Sequence, residues 1–195
     1  MKHPLRLYLP TWLFRSIASI DFEAIYRKVG GQFFLLLDLD GTLRALGSRK
    51  VPQPIIDALY KAIEDGYILG VCIISNTGLK MLAGDVAAIA KELGFGYHAC
   101  YIPNPQKPEP EAFYAALRKA TFDTTCEIEK LTNVVVVDDQ LGTGIVGANR
   151  CGFLSVFVRP MLPKFWLLPM LIIKWLKLRK DLTILKKLGQ EFPKN

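Results

Sequence analysis

The chain has 195 residues, about half of them hydrophobic, which is enough apolar material for one folded domain with small appendages and excludes a disordered chain. Its formal net charge of +7 is uneven: residues 1–30 hold five Lys/Arg against two acids, and residues 160–195 hold eight against two. Basic flanks interleaved with Trp, Leu and Ile suit an anionic lipid surface, and no nucleic-acid partner is expected.

The opening "MKHPLRLYLPTWLF" has a charge followed by apolar residues, but Arg6 and two prolines interrupt it and no small-x-small cleavage site follows. A cleaved signal peptide is therefore not expected. Residues 1–30 are expected to form an amphipathic helical flank, followed by a catalytic domain over 31–160 and a basic, hydrophobic helical tail over 161–195.

Within the central domain, short apolar runs recur at 33–37 (FFLLL), 68–74 (ILGVCII), 97–102 (YHACYI), 134–137 (VVVV) and 154–158 (LSVFV). Their length and β-branched content predict strands buried on both faces. Helices are expected between them at 54–65, behind Pro54 and before Gly66, at 79–93 closed by Gly94, at 109–120 opened by prolines, and at 144–151 closed by Gly152. Alternating elements of these lengths predict an α/β fold, a doubly wound, Rossmann-like parallel sheet of about five strands.

Cys72, Cys100, Cys126 and Cys151 form no CxxC pair and the only histidines are His3 and His98, so a zinc site is not expected. Cys72 and Cys100 lie inside apolar runs and are expected to be buried free thiols, consistent with a reducing cytoplasm. No stretch reaches the ~20 apolar residues that span a bilayer.

In doubly wound sheets, ligands bind beyond the carboxyl ends of the strands. The first run ends in "DLDGT". Alternate residues of an extended chain point the same way, so Asp38 and Asp40 can face one site. Two carboxylates this close call for a cation or a shared proton. One can attack phosphorus while bound to a hard cation such as Mg²⁺, and the other can serve as general acid and base. Gly41 permits a sharp turn, and the Thr42 hydroxyl can orient a carboxylate. The second run ends in "ISNTG", placing Ser75 and Asn76 where they could hold phosphate oxygens. After the third comes Lys107 in "NPQKPEPEAF", a cation before a helix N-terminus. The fourth ends in Asp138 and Asp139, adjacent acids whose desolvation a metal would offset.

In order and spacing these four stretches resemble the motifs of the haloacid dehalogenase (HAD) superfamily of phosphatases, over residues 33 to about 158. The resemblance implies Asp38 as nucleophile and Mg²⁺ ligand, and Asp40 as general acid/base with its backbone carbonyl on the metal. It implies Ser75 and Lys107 as phosphate ligands, Lys107 also serving catalysis, and Asp139 completing the metal site. Thr42 and Asn76 join the phosphate-binding set. Within the superfamily the chain looks like the YqeG group, related to phosphatidylglycerophosphate phosphatase, through "LYLPTWLFRSIASIDFEAI", "KPEPEAF" and "DDQLGTGIVGANRCGFLSVFVRPM". It departs from that pattern at two positions: Asp138 stands where a glycine is usual, and Gly144 where a second acid is usual. Asp138 is the candidate to replace the missing acid as a further metal ligand.

Only a loop and one helix fit between Asp38 and Ser75, so no cap domain is expected. The open site that results suits a large substrate or a headgroup projecting from a membrane. In the tail, Leu171, Trp175, Leu178, Leu182 and Leu185 fall at helical spacing, bordered by Lys174, Arg179 and Lys186. That stripe could lie in a bilayer interface, dock on its own domain or meet another helix. Together these readings imply an Mg²⁺-dependent phosphomonoesterase, cytoplasmic and peripheral on the membrane, acting on phosphatidylglycerophosphate. The alternatives are an enzyme of soluble phosphate esters or phosphoproteins, and a non-catalytic phosphate-binding protein held at a membrane.

Overall fold

A computed structural model of the chain describes residues 3–46, 48, 50–76, 99–103, 106–121, 133–162 and 168–193. The helix expected over 79–93 lies outside the described residues. Six parallel strands form one sheet: β1 (Trp12–Phe14), β2 (Phe33–Leu37), β3 (Ile68–Ser75), β4 (Ala99–Pro103), β5 (Val134–Asp138) and β6 (Leu154–Val158), in the order β1-β6-β5-β2-β3-β4. The α/β doubly wound expectation is met. The sheet carries one strand more than the apolar runs suggested, because the N-terminal flank is not wholly helical. Trp12, Leu13 and Phe14 add to the sheet edge opposite Val156, Phe157 and Val158, and the flank's α-helix, α1 (Phe22–Val29), begins only afterwards.

The central strands are apolar on both sides because both sides are covered. Leu35, Leu37, Val71, Ile73, Val135 and Val137 face one layer with Ile25 of α1 and Ile55 and Leu59 of α2 (Gln53–Glu64). The intervening Leu36, Ile74, Val134 and Val136 face the other layer with Phe113 and Leu117 of α3 (Pro110–Thr121) and Ala148 of α4 (Val146–Arg150). A parallel register sends successive residues to opposite faces and brings all the carboxyl ends to one edge. After β4 the chain returns to place β5 on the far side of β2, so strand order switches direction between those two strands.

Cys72 is disulfide-bonded, which corrects the expectation of a free thiol there. The residue abreast of it in the neighbouring strand is Cys100. Support for a reducing compartment from this thiol falls away. Cys151 is a free thiol.

The tail forms α5 (Leu168–Lys187), and it docks. Ile184 and Leu185 are buried with Tyr8, Leu141, Ile145, Val146 and Phe157, and Leu188 and Phe192 pack against the same cluster. The stripe expected from spacing is divided: Leu185 is buried, Leu178 half-buried, and Trp175 and Leu182 exposed, while the side chain of Leu171 lies outside the described residues. The face turned inward runs instead through Lys174, Leu178, Asp181 and Leu185. No helix among the described residues is long and apolar enough to cross a membrane.

Asp181 reports on this docking. It is 7% exposed and accepts a hydrogen bond from the Leu141 N–H at 3.3 Å. Burial pushes its carboxyl from the ordinary 3.8 up to about 6; the Leu141 N–H opposes this, the Asp139 charge adds to it, and Lys180 and Lys177 oppose it. A carboxyl raised on folding makes the folded state less stable as pH climbs from about 4 through 6. Asp181→Asn keeps an acceptor for Leu141 but removes the buried charge. It should raise the melting temperature at pH 8 by several degrees, on the order of 2 kcal/mol, and leave it unchanged at pH 4. Thermal melts at the two pH values check this.

Candidate active site

The switch between β2 and β5 brings the strand-end residues together. Asp38 follows β2, Ser75 closes β3, and Asp138 and Asp139 end β5, all buried at the same edge. Lys107 arrives from the loop before α3. The Asn76 side chain fixes that loop in both directions: its Oδ1 accepts from the Lys107 N–H at 2.9 Å and its Nδ2 donates to the Lys107 carbonyl at 3.0 Å. Asn76, expected among the phosphate ligands, thus spends its amide on positioning Lys107.

Lys107 Nζ donates to Asp38 Oδ1 and to Asp138 Oδ2, each at 2.6 Å, with all three side chains almost wholly buried. Burial alone would push the ammonium down, but the carboxylates of Asp138 and Asp38 outweigh it and hold its pKa above the ordinary value. The acids show the opposite strain. Burial pushes Asp138 up to about 7 despite Lys107, with Asp38 and Asp139 adding like charge. Burial likewise raises Asp139, opposed first by Lys174 of α5.

Asp38, Asp138 and Asp139 each place a carboxylate oxygen within 4.8 Å of the others. Asp38 Oδ2 and Asp139 Oδ1 are buried without a hydrogen-bond partner. Oxygen donors only, crowded, negative and partly unsatisfied, are the environment that a hard divalent cation stabilises. The residues fit Mg²⁺. Asp40 contributes to this region through its backbone carbonyl, while its carboxylate stands on the cavity wall and accepts from Arg44 Nε at 3.1 Å.

The departure at positions 138 and 144 has a steric explanation. A Cβ added to Gly144 would fall 2.1–2.2 Å from Cγ, Cβ and Oδ2 of Asp138. The Asp138 carboxyl already fills the space into which a side chain at 144 would project. Its own oxygens are held by Lys107 and by the Gln140 N–H at 2.8 Å.

Above the carboxylates lies an open cavity of about 270 Å³ lined by Asp38, Asp40, Ser75, Asn76, Lys107 and, from outside the expected set, Leu46, Gln140, Thr143, Lys174 and Lys177. Thr42, expected to bind phosphate, is absent from this wall: it is 1% exposed, with an unpartnered hydroxyl oxygen. Two further residues were not foreseen. Arg44, fully buried four residues beyond Asp40, had a helical ion-pair spacing as its only signal. Lys174 donates to Asp139 Oδ2 at 2.7 Å and to the Asp40 carbonyl. Its spacing marks it only as a border of the apolar stripe, since nothing local ties position 174 to 40 and 139.

Gly41 makes that last approach possible. Its φ of +108° suits a residue without Cβ, and a Cβ there would fall 2.0 Å from Lys174 Nζ and 2.1 Å from Asp139 Oδ2.

No family model matches the chain. It is 27% identical over 157 residues to the probable phosphatase YqeG of Bacillus subtilis (strain 168), spanning 80% of each chain. Among solved structures it is similar to a HAD-superfamily hydrolase from Ehrlichia chaffeensis, with a TM-score of 0.43 and 20% identity. That match covers 65% of this chain and 58% of the other, less than two thirds of its length. The likeness to YqeG runs over most of both chains, and in this chain the acids, a hydroxyl and a lysine are gathered at the switch point of the sheet.

Proposed function

We propose that the protein is an Mg²⁺-dependent phosphomonoesterase that works through an aspartyl-phosphate on Asp38, with phosphatidylglycerophosphate as substrate. The observation that carries the reaction is the trio of buried carboxylates, two of them with unpartnered oxygens, beside a buried lysine on the floor of an open cavity. When bound by Asp38, Asp139, Asp138 and the Asp40 carbonyl, the cation supplies the positive charge that lets a carboxylate and an anionic phosphoryl group approach each other.

The chain's own residues supply the rest. A carboxylate oxygen of Asp38 attacks phosphorus, and the bond from phosphorus to the ester oxygen breaks. The Asp40 carboxyl donates its proton to that oxygen, releasing the alcohol. Asp40, now ionised, takes a proton from water as the water oxygen attacks phosphorus. The bond from Asp38 to phosphorus breaks, releasing inorganic phosphate and restoring both acids. Lys107, fixed by Asn76, stabilises charge on the transferred group, and the Ser75 hydroxyl stands on the same wall to hold one of its oxygens. Arg44 keeps the Asp40 carboxylate directed at the cavity.

The lipid substrate is supported by the resemblance to the YqeG group, the open cavity and the tail beside it. Ile172, Ile173, Trp175, Leu176 and Leu182 are exposed on α5, among basic residues. A helix of that composition suits an anionic interface, where the protein would sit peripherally.

Asp38→Asn should abolish phosphate release while leaving the melting temperature within a few degrees of wild type; an active Asn variant would refute the aspartyl-phosphate. Phosphate release from phosphatidylglycerophosphate in anionic vesicles should depend on Mg²⁺ and exceed that from a soluble phosphomonoester at equal concentration. Activity on the soluble ester alone would keep the chemistry and replace the lipid. Gly144→Asp alone should lower Mg²⁺ affinity at least tenfold, because it displaces Asp138. The double change Asp138→Gly with Gly144→Asp should recover most of it, as read by calorimetric titration with Mg²⁺.

A further inference from the structure

Lys174 donates to two residues assigned above to the cation: to the Asp40 carbonyl and to Asp139 Oδ2, the latter at 2.7 Å, while Asp139 Oδ1 stays unpartnered. Its side chain is 11% exposed, and its ammonium occupies the space left open by the missing Cβ of Gly41. The ammonium takes the Asp40 carbonyl oxygen that the cation would use and neutralises the Asp139 charge that would attract it, so the two compete for this place. Lys174 is delivered there by α5, whose anchors Ile184 and Leu185 lie about three turns further along the helix, in a cluster separate from the two central cores.

The outer side of α5 faces the opposite way and is unlike an ordinary solvated surface. Ile172, Ile173 and Leu176 are each more than half exposed, Trp175 and Leu182 a little less. Arg179 lies over the Trp175 ring at 4.7 Å, and Lys180, Lys186 and Lys187 are exposed around them. Apolar residues rimmed by four cations match an anionic lipid surface in both hydrophobicity and charge. Burying this side in a bilayer interface draws on the helix that holds Lys174.

We propose that α5 is an autoinhibitory latch: Lys174 and Mg²⁺ exclude each other from the Asp40 carbonyl and Asp139, and the latch opens when the outer side of α5 enters an anionic lipid surface. The proposal rests on the Mg²⁺ reading of the site. It makes the apparent affinity for Mg²⁺ the intrinsic affinity reduced by the fraction of molecules with Lys174 withdrawn. Lipid raises that fraction, so the enzyme is charged with metal where its substrate is.

The test uses the full chain. Mg²⁺ is titrated calorimetrically into wild type, Lys174→Met and Leu185→Asp, with and without vesicles containing phosphatidylglycerol. Amide hydrogen exchange over residues 172–187 is followed in parallel. Lys174→Met should bind Mg²⁺ at least tenfold more tightly than wild type. Leu185→Asp, which loosens α5 at the cluster that anchors it, should shift affinity in the same direction. Mg²⁺ should speed exchange across 172–187 in wild type, and vesicles should tighten Mg²⁺ binding in wild type but not in Lys174→Met. Equal Mg²⁺ affinity in wild type and Lys174→Met overturns the latch while leaving the metal site intact. Absence of Mg²⁺ binding in all three proteins overturns the metal site and the latch together. Tight binding by Lys174→Met with no effect of vesicles on wild type overturns lipid as the opener.

Discussion

The crowding of negative charge at the carboxyl ends of β2 and β5 is the constraint that everything else in this molecule answers. Asp38, Asp138 and Asp139 are buried within a few ångströms of one another, at a cost no carboxylate trio would sustain unaided. Two ammonium groups meet that cost, and they come from very different places. Lys107 is held from behind by Asn76 and bridges two of the acids. Lys174 arrives on a helix from the far end of the chain and pairs with the third. The sheet supplies the rigidity that keeps the acids from moving apart, since each sits at the end of a strand hydrogen-bonded on both sides.

The strands were legible in the sequence because their burial is unusual: apolar residues on both faces leave an unbroken run that no amphipathic helix shares. β1 was not legible, for the complementary reason. Trp12, Leu13 and Phe14 are only half-buried, and what makes them a strand is the exposed edge of β6 beside them, a property of distant residues. The same distinction governs the site. Asp38, Ser75, Lys107, Asp138 and Asp139 could be read from their place at the end of an apolar run or the start of a helix. Thr42 carried the right chemistry in the right motif, yet it is almost wholly buried and does not line the cavity. Arg44 and Lys174 followed from contacts that no local pattern encodes.

The exchange between positions 138 and 144 shows how such a site tolerates change. Only one side chain fits between the end of β5 and the turn that follows it, and here the strand supplies it. That volume holds one carboxyl, and here it is delivered from position 138. A reading by spacing registers a missing acid, whereas a reading by volume registers a relocated one.

The third apolar cluster joins Tyr8, with Leu7 and Leu13 packed against it, to Ile184, Leu185, Leu188 and Phe192. Leu141 and Ile145, from the turn just beyond Asp139, belong to it as well. The two flanks are thus folded against each other, and onto the turn that follows the buried acids Asp138 and Asp139. Anything fused to, trimmed from or chemically attached at either flank of this protein is therefore a perturbation of the candidate site, and a tag placed there for purification belongs among the variables of every assay.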